Sequence, residues 1–208
     1  KGMIYSSNLC TEIMQNMSEI HSISETIETE DGDDIIVTKT KPGDFVVCNL
    51  ASLVLGNIDV NNDEELEEVV ETAVRGLDNV IDLNFYPLEY AKYTNKKYRP
   101  IGLGTSGYHH CLVKNNIMYS DVEKHLEFAD KLYEKINYYA IKASNKIAKE
   151  KGSYEYFEGS DWENGEYFKL RDYNSEKWNE LYHDIKKNGM RNGYLMAVAP
   201  TGSTSIIA

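Results

Sequence analysis

The sequence predicts an α/β fold in which parallel strands alternate with helices. Residues 45–55 (FVVCNLASLVL) form a continuous apolar run of strand length. Residues 62–81 and 121–150 repeat apolar side chains at intervals of three and four, as amphipathic helices do. A third helical stretch, 175–187, precedes a short apolar strand at 194–199. This alternation of strand and helix favours parallel pairing of the strands.

The first elements are an extended segment and a hairpin. Residues 3–14 are apolar at both ends around a polar centre, which indicates a strand or an extended loop with a polar tip. Residues 28–34 (ETEDGDD) are mainly acidic and predict a solvated hairpin tip, from which residues 35–38 return as a strand. A turn at 42–44 then introduces the apolar run 45–55, which we expect to be buried on both faces.

The next segments carry helix boundaries and turn signals. Asn62 is placed to cap the first helix, which should end before Pro87. Residues 99–107 indicate a strand end that runs into a glycine-rich turn. Residues 154–173 are polar and aromatic, which predicts a packed surface loop, and the helix after it should end at Gly189.

The longest predicted helix, 121–150, has signals at both ends. Ser120 and Glu123 form a capping-box pattern, and Gly152 supplies the stop. Its expected apolar face consists of Val122, Leu126, Ala129, Tyr133, Ile136, Ala140, Ala143 and Ile147.

The composition excludes several classes of function. Lys and Arg number 22 against 34 Asp and Glu, so the net charge of −12 argues against a general nucleic-acid binder or a protein of anionic membranes. No apolar run is long enough to span a bilayer. The cysteines Cys10, Cys48 and Cys111 lack disulfide-scaffold or zinc-finger spacing, so we expect no metal and a reducing, cytoplasmic compartment. A lone cysteine is usually a buried apolar residue, and Cys48 lies in an apolar run.

Two motifs could support chemistry. In an extended segment Asn8, Cys10 and Glu12 lie at alternate positions and would share one face, bringing together an amide, a thiol and a carboxylate. The alternative is a helix start with Asn8 as its cap. Residues 200–205 (PTGSTS) follow a strand and could hold a phosphate through hydroxyl and backbone N–H groups, or could form only a capped turn.

Five stretches, taken together, resemble the large catalytic subunit of class I ribonucleotide reductase. They are SNLCTEI (7–13), VCNLASLVL (47–55), RPIGLGTSGYHHCLVKNNIMYSD (99–121), FEGSDWENGEYF (157–168) and AVAPTGSTSII (197–207). They occur in the family's order across the chain. The resemblance implies a portion of a ten-stranded β/α barrel with a central finger loop, here residues 5–14.

The resemblance also assigns roles to individual residues. Cys10 matches the cysteine that becomes a thiyl radical and abstracts the 3′ hydrogen of the ribose. Asn8 matches the residue that binds the ribose hydroxyls, Glu12 the carboxylate that takes the 3′-OH proton, and Cys48 one of two cysteines that reduce the 2′ position. The loop 200–205 matches the diphosphate site. Its expected substrate-binding residues are Thr201, Gly202, Ser203 and Thr204, together with Ser7. Cys111 has no assigned role and is expected in the core.

The resemblance further implies partners and absent parts. We expect a ribonucleoside diphosphate substrate, a small subunit whose metal cofactor generates the radical, thioredoxin or glutaredoxin as the external dithiol, and a homodimer of large subunits. Nucleotide effectors are expected to bind outside this segment. Neither end resembles a natural terminus and the second redox cysteine is missing, so we expect an internal fragment, 1–208, that is inactive alone. Part of a split subunit and a non-catalytic interaction module are the alternatives.

Overall fold

Three parallel backbone segments form the framework of the chain. The computed structural model describes residues 3–8, 10–30 and 32–207; Leu9 in the predicted finger loop and Asp31 at the predicted hairpin tip lie outside the described residues. Strand β3 (Leu50–Val54) pairs in parallel with β4 (Gly102–Ser106).

Segment 194–197 lies parallel to the opposite edge of β4. Leu103 donates its backbone N–H to Leu195 O at 2.8 Å, and Ala197 donates to Leu103 O at 3.1 Å. The predicted strand at 194–199 is therefore reduced to a bridge between Leu103 and Met196. The predicted α/β class with parallel pairing is confirmed.

Helices connect these segments in the manner of a β/α barrel. Between β3 and β4 lie α1 (Asp63–Leu83) and α2 (Glu89–Tyr98). Between β4 and segment 194–197 lie α3 (Tyr108–Lys114), α4 (Val122–Lys151), α5 (Glu166–Lys169) and α6 (Glu176–Asn188). The sequence patterns predict α1, α4 and α6 but miss α2 and α3, which are short and weakly patterned. In the described part of the chain no helix is long and apolar enough to cross a membrane.

The acidic hairpin is confirmed. Strands β1 (His21–Glu30) and β2 (Asp33–Lys41) pair antiparallel, with Ile27 opposite Ile36. Both of these isoleucines are more than half exposed. The hairpin therefore adds little to the hydrophobic core, which lies between the parallel strands and helices α1, α4 and α6.

The helix caps are correct for α1 and displaced by one residue for α4. Asn62 Oδ1 accepts the backbone N–H groups of Glu64 and Glu65, as predicted. The α4 cap is Asp121, which accepts the N–H of Lys124, so the predicted capping box at Ser120 is wrong. A carboxylate at this position also interacts favourably with the helix dipole.

The apolar face of α4 is buried only in its carboxyl-terminal part. Ile136, Ala140 and Ile147 lie in the core as predicted, whereas Val122 and Leu126 are each more than 60% exposed. Leu126, Ala129 and Tyr133 of this face border an open cleft rather than the core.

The predicted strand over 45–55 is wrong in its first half. Regular pairing begins only at Leu50. Before it, the backbone N–H of Phe45 donates to Thr94 Oγ1 at 2.7 Å, so side chains of α2 replace a neighbouring strand as partners. Apolar letters alone do not reveal this substitution.

The glycines of the predicted turn at 99–107 lie within β4 itself. A Cβ on Gly102 would lie 2.5 Å from Leu50 Cδ2, and one on Gly104 would lie 2.7 Å from Ala197 O. These glycines therefore permit close approach between neighbouring strands. The turn follows only at Gly107, which has a φ of 67° and precedes α3.

The predicted surface loop at 154–173 contains the short helix α5 and contributes to the core. Tyr154, Trp162 and Phe168 are each at least 93% buried. Trp162 stacks on Tyr167 with ring centroids 4.0 Å apart. The loop is therefore structurally part of the domain.

Candidate functional site

The predicted finger loop is closed at its base. Met17 donates its backbone N–H to Met3 O at 2.8 Å, and Asn16 donates its N–H to the Tyr194 hydroxyl at 3.1 Å. Ile13 and Gln15 are at most 4% exposed and anchor the returning limb in the protein. The loop is thus tied to the end of the parallel framework.

A tight turn forms the loop tip. Thr11 adopts a left-handed conformation with a φ of 65° and donates its N–H to Asn8 O at 3.1 Å. The predicted extended segment is therefore wrong at the tip, and the described residues that follow Asn8, 10–16, form no helix. Asn8 and Glu12 still converge, because the turn folds one back onto the other. Asn8 Oδ1 accepts the N–H of Ile13 at 3.0 Å and fixes this arrangement.

Asn8, Glu12 and Cys48 form one hydrogen-bonded group. Asn8 Nδ2 donates to Glu12 Oε1 and approaches Cys48 Sγ at 3.4 Å. The Cys48 thiol donates to Glu12 Oε1 at 3.3 Å. Residues from two distant segments therefore share one carboxylate oxygen.

The second carboxylate oxygen of Glu12 remains available. Oε2 is buried and accepts no hydrogen bond from the residues that the structure describes. Burial raises the pKa of Glu12. Hydrogen bonds from its own backbone N–H, from Cys48 and from Asn8 lower the pKa by a larger amount, so the net shift is downward. An ionised carboxylate with a free buried oxygen is a ready acceptor for a hydroxyl proton.

Cys48 is exposed, which corrects the expectation from its apolar neighbours that it lies in the core. Partial desolvation, the hydrogen bond to Glu12 and the nearby charges of Glu12 and Cys10 raise its pKa to about 12, although Asn8 opposes the shift. Cys48 is therefore a protonated thiol at neutral pH. It can donate hydrogen but is a poor nucleophile in this state.

The other two cysteines differ sharply in environment. Cys10 is exposed at the loop tip. Cys111 is 1% exposed in the hydrophobic core, as predicted, and burial raises its pKa.

A cleft of about 1330 Å³ opens beside the finger loop. Thr11 and Glu12 line one side, and Leu103, Gly104 and Thr105 of β4 line its floor. Helices α4 and α6 and residues 196–198 complete its walls. In α/β proteins, ligands bind near the carboxyl ends of parallel strands, where this cleft lies.

The predicted phosphate loop begins two residues after this cleft's last lining residue, Val198. It ends in a single 3-10 turn, Thr204–Ile206. Thr204 Oγ1 donates to Thr201 O at 3.2 Å, while Gly202 and Ser203 are exposed.

Ser7 is the remaining predicted substrate-binding residue and lies in the finger loop. It is half-buried, and its hydroxyl donates to Asn8 O at 3.2 Å. Among the described residues, no hydrogen bond joins the loop 200–205 to Ser7 or to the group formed by Asn8, Glu12 and Cys48.

Sequence patterns missed the polar residues that hold the site. Asn49 is buried before β3 and donates to Asn95 Oδ1 and to Pro100 O, both at 2.8 Å. Asp78 is fully buried on α1 and binds Arg99, which precedes β4. The available signal was a charged residue on an apolar stripe, three positions before Ile81.

No group of three or more His, Cys, Asp or Glu side chains that could hold a metal occurs in ranges 3–8, 10–30 and 32–207. The site chemistry of these residues is that of thiols, an amide and a carboxylate.

The fold and this site define a partial β/α barrel with two exposed thiols, Cys10 on the finger loop and Cys48 two residues before β3. The family profile described as "Ribonucleotide reductase, barrel domain" matches residues 1–208. The chain belongs to this family.

Individual proteins with similar sequences carry names from the same family. The chain is 59% identical over 208 residues to a ribonucleoside-diphosphate reductase subunit alpha of Treponema pallidum, covering all of this chain and 24% of that protein. It is 40% identical over 253 residues to the subunit of the same name from Helicobacter pylori, covering 99% of this chain and 32% of the relative. It is 35% identical over 216 residues to a ribonucleoside-diphosphate reductase large chain of Neurospora crassa, covering 99% of this chain and 21% of the relative. The chain thus spans about a third or less of these relatives.

Proposed function

We propose that this chain is the central barrel segment of a ribonucleoside-diphosphate reductase large subunit and carries its reacting groups. The observation that carries the proposal is the contact of Asn8, Glu12 and Cys48, which come from two segments of the chain. Family membership and the names of the relatives support the same activity. The substrate would be a ribonucleoside diphosphate and the product a 2′-deoxyribonucleoside diphosphate.

Glu12 and Asn8 would act on the ribose hydroxyls. Glu12 Oε2 is buried and has no partner among the described residues, so a 3′-OH could donate to it without displacing an existing bond. Removing the 3′-OH proton eases loss of the 2′-OH as water. Asn8 orients the carboxylate through Oε1 and would bind a ribose hydroxyl with its remaining hydrogen-bonding capacity.

The two exposed cysteines would divide the redox work. Cys10, as a thiyl radical, takes the 3′ hydrogen atom and returns it at the end of the cycle. The 2′ C–O bond breaks and water leaves, while two thiols become a disulfide and supply the two electrons and two protons. Cys48 would be one of these thiols, in keeping with its protonated state. The second would come from outside this segment.

Thr201, Gly202, Ser203 and Thr204 would bind the substrate diphosphate, together with Ser7. The support is the position of their loop next to the cleft and the exposure of Gly202 and Ser203. Backbone N–H and hydroxyl groups in such a loop suit an anion.

The remaining components follow from the reaction. A small subunit with a metal cofactor would generate the radical, and thioredoxin or glutaredoxin would reduce the disulfide. We further propose that residues 1–208 are one partial barrel domain of a homodimeric cytoplasmic enzyme, whose nucleotide effectors bind outside this segment.

The test uses the complete assembled enzyme. Cys10→Ala should abolish deoxyribonucleotide formation, and Glu12→Gln should lower it by about 10²-fold or more, as expected when an acid–base group is lost. Cys111→Ala is the matched control, because it removes a core thiol and should retain activity. Near-normal reduction by the Cys10 variant would overturn the proposal.

A further inference from the structure

Asp44 joins the finger-loop segment, which carries Asn8 and Glu12, to the segment that carries Cys48. Its side chain is only 3% exposed. Oδ1 accepts from Lys97 Nζ at 2.9 Å. Oδ2 accepts from Ser18 Oγ at 2.9 Å, and from Asn16 Nδ2 and the Tyr98 hydroxyl at 3.2 Å each. A carboxylate with four donors in a buried position has a single orientation.

The two backbones also touch at this point. Asp44 donates its N–H to Ser18 O at 3.1 Å. At the preceding position, a Cβ on Gly43 would lie 2.0 Å from the same carbonyl oxygen, so only glycine permits the approach. The contact is therefore built into both the side chain and the main chain.

The position of this contact relates directly to the site. Asn16 lies four residues after Glu12, and Asp44 lies four residues before Cys48. Neither intervening stretch belongs to a strand or helix. The distance of 3.3 Å between Cys48 Sγ and Glu12 Oε1 therefore depends on side-chain contacts at the base of the two segments.

Lys97 gives the contact a lasting charge. Its side chain is 11% exposed and lies 4.2 Å from the centre of the Tyr156 ring. Burial lowers the pKa of Lys97, but the hydrogen bond to Asp44 and the neighbouring tyrosines outweigh it, and the net pKa is raised. Lys97 is thus charged throughout the neutral range. A buried ion pair is by itself weak evidence of a stabilising role.

We propose that Asp44 is a positioning residue that holds Cys48 against Glu12 by clamping the two segments together. The catalytic meaning of this clamp rests on the proposed function, whereas the geometry it controls can be measured without turnover.

The experiment measures alkylation of individual cysteines by iodoacetamide in the intact, prereduced protein at pH 8, followed by peptide mass spectrometry. The environment of Cys48 raises its pKa to about 12 from an ordinary value of 9.0, which slows its alkylation by up to about 10³-fold. Asp44→Asn should release the Glu12 contact and accelerate Cys48 alkylation at least tenfold. Cys111 should be unaffected, because it is buried away from the clamp.

Asp82→Asn is the matched control. It also removes a carboxylate paired with Lys96 and Arg99, but it contacts neither segment of the site. Unchanged Cys48 alkylation in Asp44→Asn would overturn the proposal, as would a parallel rise at Cys111 or an equal rise in the Asp82 variant.

Where Asp44→Asn does not fold, Asn16→Ala removes one donor of the clamp and is judged by the same criteria, with an expected acceleration of several-fold. A wild-type enzyme without reductase activity would overturn the proposed function and leave this result standing.

Discussion

Asp78→Asn tests what fixes the parallel segments behind the site. Asp78 Oδ1 accepts from Arg99 Nε at 2.9 Å and from Asn192 Nδ2 at 3.1 Å, and Oδ2 accepts from Arg191 Nε at 3.3 Å. Arg99 leads into β4, and residues 191 and 192 lead into segment 194–197. One carboxylate on α1 thus ties both β4 and segment 194–197 to a helix. The variant keeps the shape but removes the charge that two guanidinium groups face.

The expected loss can be worked from these contacts. Hydrogen bonds to charged groups contribute about 1.5–3 kcal/mol each, but three that share a carboxylate do not add. Removing one partner of a buried pair costs about 3–5 kcal/mol. Arg99 keeps two bonds to Asp82, at 2.8 and 3.0 Å, which places the loss near the lower limit, about 3 kcal/mol. A typical domain has a free energy of unfolding of about 5–15 kcal/mol, so this loss would be a large fraction of the total.

The assay is the rate at which a thiol reagent labels Cys111 in the intact protein under mildly denaturing conditions. Cys111 lies in the same core cluster as the apolar stripe of α1, so labelling reports opening of this core. A loss of about 3 kcal/mol accelerates labelling by about 10²-fold when reclosing is faster than the reaction. Asp82→Asn, whose side chain is 40% exposed, should give about fivefold or less. Equal effects of the two variants would refute the assignment of the buried network.

Two further predictions concern packing and protonation. Gly104→Ala should destabilise the core by about 1–3 kcal/mol, because the new Cβ meets Ala197 O. Gly76→Ala lies in open space on α1 and should be neutral or stabilising. The rate of Cys111 labelling measures the stability of both variants. Because its pKa is raised to about 12, Cys48 is protonated below that pH, and its alkylation rate should rise about tenfold per pH unit between pH 8 and 11; a plateau near pH 9 would contradict the raised pKa.

The sequence predicts those elements whose stability is local. The side-chain spacing of α1, α4 and α6 matches the helical period, and the predicted amino-terminal cap is correct for α1. The hairpin is equally legible, since an acidic glycine-containing turn separates two strand-like runs. Residues 45–49 show the limit of this approach. Their apolar pattern indicates a strand, but their partners are side chains of α2, and nothing in the pattern itself encodes a partner about 50 residues away.

The sequence pattern correctly predicted that Asn8 and Glu12 converge, but the backbone geometry assumed for that prediction was wrong. Alternation brings Asn8 and Glu12 together only in an extended segment, whereas the observed convergence comes from the left-handed turn at Thr11. A non-glycine residue in that conformation cannot be inferred from its letter. The contact with Cys48 is equally invisible locally, because it depends on the clamp at Asp44. The roles assigned to these residues remain predictions.

The contact between Gly43 and Ser18 makes the β1–β2 hairpin a closed appendage. Both strands leave and re-enter the domain through one narrow neck, so the 24 residues between these two positions place no tension on the site. Loop-closure entropy grows slowly, by about 0.6 kcal/mol for each doubling of length. The appendage can therefore lengthen, shorten or change its surface charge over evolution while Glu12 and Cys48 keep their spacing. Variation in this hairpin is, in this sense, nearly free of consequence for the chemistry at its root.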